Sequence, residues 1–192
     1  HAGGLIGLKV GNGELEATKL AITNTPAALT EAAETKSIDN TYAAIFAELN
    51  VNDGPMSLGF ELVPLSGTIS VANGNDTDAS IEVSDLKTVY AMASRELGGG
   101  SVYAKVGLSH ADLDNAKQSN GTTTINSFSS ELEGTMIGIG FQTAETGNGL
   151  VFRAEATHSD FDDVQVNTTD TDGTVETKKA NDVTFQTITI SV

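Results

Sequence analysis

Apolar and polar residues alternate along this chain in short runs. The runs are Gly4–Gly11, Thr41–Val51, Met56–Pro64, Asp85–Leu97, Val102–His110, Gly134–Gln142, Leu150–Ser159 and Val183–Val192. A period of two is the mark of a β-strand with one apolar face. The connections alternate as well. Tight ones, at Asn52-Asp53-Gly54-Pro55, Gly98-Gly99-Gly100-Ser101 and Ala144–Gly149, take turns with long polar ones over 12–40, 65–84, 111–133 and 160–182. Eight antiparallel strands joined in this way predict an up-and-down barrel. Every tight turn falls on one rim and every long loop on the other.

Side chains point alternately to the two faces of a strand, so each run divides into two sets. Thr41–Val51 sets Ala43, Ile45, Ala47, Leu49 and Val51 against Tyr42, Ala44, Phe46, Glu48 and Asn50. Met56, Leu58, Phe60 and Leu62 oppose Ser57, Gly59, Glu61 and Val63. Val102, Ala104, Val106 and Leu108 oppose Tyr103, Lys105, Gly107 and Ser109. Leu150, Phe152, Ala154 and Ala156 oppose Val151, Arg153, Glu155 and Thr157, and Ile188, Ile190 and Val192 oppose Thr187, Thr189 and Ser191.

The polar faces carry both signs of charge: Lys9, Lys87, Arg95, Lys105 and Arg153 with Glu48, Glu61 and Glu155. A soluble barrel would turn these to water; a transmembrane barrel would enclose them under an apolar exterior. Two features favour the transmembrane arrangement. The runs reach roughly nine to eleven residues, the span a tilted strand needs to cross a bilayer. Small residues (Gly7, Gly59, Ala91, Ala93, Gly107, Gly138, Gly140) interleave with the long charged ones, as a narrow lumen requires. The eight charged residues are therefore expected to form a buried ion-pair network, since each would cost several kcal/mol to bury alone.

Composition refines this picture. A chain of 192 residues is expected to be one domain, 1–192, and without cysteine it holds no disulfide or thiolate metal site. No apolar run is long enough for a helical span, so a membrane crossing has to be a closed barrel. No charged, apolar signal segment stands at the start, so for an exported protein the expectation is a mature chain with its signal peptide removed. The net charge is −16, yet five of the ten basic residues lie on the strand faces. Most acidic residues fall in the long connections, in runs such as Asn73–Asp78, Asp112–Asp114 and Asp160–Asp163. An acidic crown over a balanced lumen repels nucleic acid, which excludes a nucleic-acid partner.

Tyr90-Ala91-Met92-Ala93 with the glycine turn after it, Ser101-Val102-Tyr103-Ala104-Lys105-Val106-Gly107-Leu108, Thr135–Phe141 and Leu150–Ala156 together resemble a known family. It is the small outer-membrane β-barrels of Gram-negative bacteria, of the OmpA and OmpX type, and the pattern covers nearly the whole chain. The resemblance implies an all-β, eight-stranded transmembrane barrel surrounded by outer-membrane lipid, with its loops on the cell surface. Members act as anchors, adhesion surfaces, small channels or, occasionally, lipid-modifying enzymes. They carry aromatic girdles at both membrane interfaces; this chain has no tryptophan and three tyrosines.

Within the first long connection, Thr25 as N-cap, Pro26 in the first turn and the helix formers of Ala27–Lys36 predict a short helix. Catalysis finds little support. His110 and His158 fall on apolar strand faces, and their neighbours Ser109 and Ser159 point the opposite way, which spoils a nucleophile–base pair. His1, if a free N-terminus, has the amine and ring to chelate copper, but a processing scar is the favoured reading. The register of Asp170-Thr171-Asp172-Gly173 fails the calcium-loop pattern, because Lys179 falls on its last ligand position. No resident cofactor is expected other than weakly held calcium at Asp112, Asp114, Asp160, Asp162 and Asp163. Calcium bridging carboxylates of two copies would make self-association or adhesion cation-dependent. The expected function is a non-enzymatic outer-membrane surface protein presenting acidic loops. The alternatives are a small passive, porin-like channel, or a β subunit of a self-assembling lattice, sheath or filament.

Overall fold

The computed structural model describes residues 3–23, 34–51, 54–73, 77–118, 124–169, 173 and 175–192. Ten strands run in chain order: β1 (Gly4–Thr23), β2 (Glu34–Asn50), β3 (Met56–Asn73), β4 (Thr77–Glu96), β5 (Gly100–Gln118), β6 (Thr124–Phe128), β7 (Glu131–Thr143), β8 (Arg153–Phe161), β9 (Val164–Thr169) and β10 (Val175–Ser191). Eight of them, β1-β2-β3-β4-β5-β7-β8-β10, pair in order, and β10 closes onto β1. All the pairs are antiparallel, from Lys9↔Ser191 at the seam to Gln142↔Arg153 between β7 and β8. β6 and β9 prolong β7 and β8 beyond short breaks at Ser129-Ser130 and Asp162-Asp163, and they pair with each other.

The tight turns form where the sequence places them. Leu97 N–H donates to the Gly100 carbonyl at 2.8 Å, with Gly98 at φ 63°, a conformation open to glycine. Val51 N–H reaches the Met56 carbonyl at 2.9 Å, and Thr146 N–H reaches that of Leu150 at 2.9 Å. The other rim differs from expectation. Most of what reads as long loop is strand: β1 runs on to Thr23, β2 starts at Glu34, and β3, β4 and β5 extend to Asn73, from Thr77 and to Gln118. No helix forms among the described residues. Glu34–Lys36, the end of the expected helix, belong to β2, and the remainder of it lies outside them.

Bulges explain why some of these extensions, on β3, β4 and β10, escape a period-two reading. The β3–β4 register slips between Val63 and Ser66, at Pro64, which has no N–H to donate. The β4–β5 register slips between Ser84 and Lys87, and the β1–β10 register between Glu16 and Thr18. Asp85 (φ 51°) and Asp182 (φ 50°) carry the left-handed backbone at two of these points. Each bulge inserts a residue and reverses the parity. On β10 the buried set runs Thr189, Thr187, Phe185 and Val183, then jumps to Ala180.

Polarity reverses at the same level. Below the bulges the outer wall is apolar: Ile6, Leu8, Ile45, Leu58, Val106, Leu108, Ile137, Ile139, Ile188 and Ile190 are all exposed, Ile6 by 79%. Above them the inside is apolar. Tyr42, Val63, Leu86, Leu113, Leu132, Phe161, Val164, Val166, Val183 and Phe185 are buried in one cluster. The upper wall is also divided. β2 pairs with β3 only from Asn50↔Ser57 to Ile45↔Leu62, and β5 pairs with β7 but not with β6 among the described residues. Two sheets, β2-β1-β10-β9-β6 and β3-β4-β5, thus face each other across the upper core.

Candidate functional site

Six charged side chains from five strands meet in the lower lumen. Inward positions alternate along each strand, so Lys9 on β1, Glu48 on β2, Glu61 on β3, Lys105 on β5, and Arg153 and Glu155 on β8 converge. Arg153 grips Glu48 with both nitrogens, Nη1 to Oε1 at 2.7 Å and Nη2 to Oε2 at 2.6 Å. Such a fork-to-fork pair is among the strongest charge-assisted contacts. Glu155 takes Lys9 at 2.5 Å on one oxygen and Lys105 at 2.6 Å on the other, and Lys9 also reaches Glu61 at 2.5 Å. Three cations thus balance three carboxylates.

Aromatic side chains frame the network. The Tyr90 hydroxyl donates to Glu48 at 2.6 Å and that of Tyr103 to Glu155 at 2.9 Å. Lys105 Nζ sits 4.1 Å from the centre of the Tyr90 ring, a cation–π contact. Both rings lie over glycines of the neighbouring strand. A Cβ at Gly59 would stand 2.3 Å from Tyr90, and one at Gly140 would stand 2.3 Å from Tyr103. The small residues expected in the lumen therefore serve as seats for tyrosines rather than as room for lysines. Ala91 and Ala93 are no part of this, because the inward residues of β4 are Leu86, Thr88, Tyr90 and Met92.

The same parity corrects two expected network members. Lys87 and Arg95 are odd-numbered on β4 and face outward. Lys87 instead meets Asp112 at 3.1 Å on the outer wall, and Arg95 is exposed near the tight-turn rim. Nor are Asp112, Asp114, Asp160, Asp162 and Asp163 gathered into one ligand set. Among the described residues, the group whose ligand atoms lie close together is His110, Glu131 and Glu133, within 4.8 Å of one another. Asp112 is engaged beside it: the Lys87 ammonium, with help from His110, holds its carboxyl below the usual carboxylate range. His158 and Asp160 are exposed on the outer wall, Ser109 and Ser159 point inward, and His1 lies outside the described residues.

A vestibule of about 690 Å³ opens from the tight-turn rim and ends on Glu48 and Arg153. Between network and upper core only about 20 Å³ remains, lined by Tyr42, Glu61, Thr88, Met136, Phe185 and Thr187. Charged pairs and then apolar side chains thus close the lumen in succession. The sequence gives notice of the charged layer through its alternating faces. It conceals the apolar one: on most strands the inward face turns from polar to apolar without a change of phase, and Val164, Val166 and Ala180 lie beyond breaks that shift it.

No family model matches the sequence, and no curated protein matches it. Among solved structures the chain is similar to Neisserial surface protein A (NspA), at 13% identity over 99% of this chain and 98% of that one, TM-score 0.48. It is also similar to Ail, the attachment invasion locus protein of Yersinia pestis, in complex with sucrose octasulfate. The identity there is 10% over 94% and 98% of the two chains, TM-score 0.33. A third likeness is to a mutant of TodX, a monoaromatic hydrocarbon channel, at 12% identity over 88% of this chain and 51% of that one, TM-score 0.34. Identities this low do not carry function across.

Proposed function

We propose that this chain is a closed transmembrane barrel of the bacterial outer membrane, an anchor that holds a stiff acidic crown on the cell surface. One observation carries the reading: an apolar outer wall surrounds buried charges below the bulges, and the polarity reverses above them. In water throughout, the lower half would expose a continuous belt of Ile, Leu, Val and Phe around six buried charges, an arrangement costly on both counts. In a bilayer the same belt meets hydrocarbon. From Ala43 to Val51 on β2, strand rise and tilt give a belt of about 20 Å. Phe141 and Phe152 stand exposed near the tight-turn rim, a sparse counterpart of an aromatic girdle. The two-layer closure of the lumen supports an anchor over a passive channel.

The test uses the absence of native cysteine. Single cysteines at Ile139, Val106 and Glu14 are labelled with an environment-sensitive fluorophore in vesicles containing brominated lipids. Strong quenching is expected at Ile139 and Val106 and little at Glu14. Equal quenching at all three positions would overturn the membrane reading. In planar bilayers no steady conductance is expected; a reproducible open level would favour the channel.

A further inference from the structure

We infer that His110, Glu131 and Glu133 form a binding site for a divalent transition metal, best suited to zinc, on the outer wall just above the apolar belt. Antiparallel pairing of β5 with β7 sets His110 opposite Glu133 and Asp112 opposite Glu131. All four project outward, because Ser109, Ala111, Leu113 and Leu132 take the inward positions between them. One ligand atom from each of His110, Glu131 and Glu133 lies within 4.8 Å of the other two. No lysine or arginine among the described residues is seen paired with either glutamate, so the site has more carboxylate than counter-charge.

The placement of the histidine within the group accords with this role. Its Nε2 lies 3.4 Å from Asp112 Oδ1, while the other Asp112 oxygen holds Lys87 Nζ at 3.1 Å. A carboxylate that takes the hydrogen of one ring nitrogen fixes the tautomer and leaves the other nitrogen with its lone pair free. Metal-binding histidines are held in this way. Here the free nitrogen is Nδ1, which faces Glu133 Oε1 at 3.9 Å. Around a tetrahedral zinc with ligands about 2.1 Å away, neighbouring donor atoms stand about 3.4 Å apart. Rotations of the exposed side chains that draw these atoms together by about 0.5–1.4 Å would complete the arrangement. Three protein ligands leave a fourth position for water or an outside donor.

The donor set discriminates between metals. Imidazole with carboxylates suits zinc and its neighbours, whereas calcium takes oxygen alone. Asp112 thus acts as a positioning residue and not as a calcium ligand, and Lys87 secures it. The site differs in chemistry and in place from calcium held by scattered aspartates.

Titration calorimetry on the folded full chain in detergent, with zinc chloride as titrant, tests this. The expected result is one saturable equivalent, together with visible absorption bands when cobalt(II) is used as the probe. His110→Ala should weaken zinc binding at least about tenfold, and Glu131→Gln and Glu133→Gln should do likewise. Asp112→Asn should also weaken it, while His158→Ala and His1→Ser should not. Excess calcium should fail to displace cobalt. Gel mobility with and without boiling shows that each variant is folded. The proposal is overturned if no saturable binding occurs below millimolar zinc. It is overturned equally if His110→Ala binds like the parent, or if binding disappears in His1→Ser.

Discussion

Arg153 shows how much one side chain holds in this lumen. Its two-pronged contact neutralises Glu48, which also accepts the Tyr90 hydroxyl, and its guanidinium stacks 5.2 Å from the Phe46 ring. Arg153→Met leaves Glu48 buried against a single distant cation, since Lys105 is 4.0 Å away. A loss of about 3–5 kcal/mol is expected in urea unfolding from lipid vesicles. Adding Glu48→Gln should return a large part of it, because the neutral pair no longer demands a counter-charge. Equal losses in the single and double variants would mean that packing and not charge is at stake. Gly59 offers a second case at this scale. Tyr90 cannot swing away from an added methyl without releasing Glu48, so Gly59→Ala should destabilise by about 1–3 kcal/mol in the same assay.

At the scale of elements, the bulges decide what a sequence reading sees. Met56–Pro64 and Val183–Val192 each end at a break in alternation, and the strands continue beyond it. A period-two pattern identifies a strand only while its phase is kept. Asp85 reads as the first residue of its strand and Asp182 as the end of a loop, whereas each carries a left-handed kink within a strand. The charged layer was legible because Glu48, Lys105, Arg153 and Glu155 keep phase with their neighbours. The membership of Lys87 and Arg95 was not, since both signs of charge also occur on the outer wall. Asp182→Gly should be tolerated or slightly stabilising, whereas Asp182→Val, which resists positive φ, should cost about 1–2 kcal/mol. Comparing the two variants by thermal melting in detergent isolates the backbone from the lost carboxylate.

The whole molecule is one barrel whose upper wall divides into two facing sheets, with opposite polarity in its two halves. The lower one is suited to lipid and the upper one to water. Val106→Arg places a charge on the lower wall, and insertion into vesicles should become about 2–4 kcal/mol less favourable if the position lies near mid-bilayer. Asp163→Arg, exposed on the upper part, should change insertion little. Similar effects from both would argue against a lipid-facing belt. The upper half encloses its apolar core between two sheets. What reads as four long polar connections is therefore largely an extension of the wall.

The seam between β1 and β10 has a kinetic meaning. Lys9 and Ser191 become neighbours only when the last strand meets the first, and Lys9 then finds Glu155 across 146 residues of sequence. Contacts between such remote parts of a chain form late and slowly. Until they form, a half-built barrel lying in hydrocarbon would turn Lys9, Lys105 and Arg153 toward lipid, at several kcal/mol each. Piecemeal entry, strand after strand, is thus disfavoured by the charges that stabilise the finished lumen. If the lower half spans a bilayer as proposed, crossing it and closing the ring become a single event, assembled at the surface or beside a helper that shields the open edge.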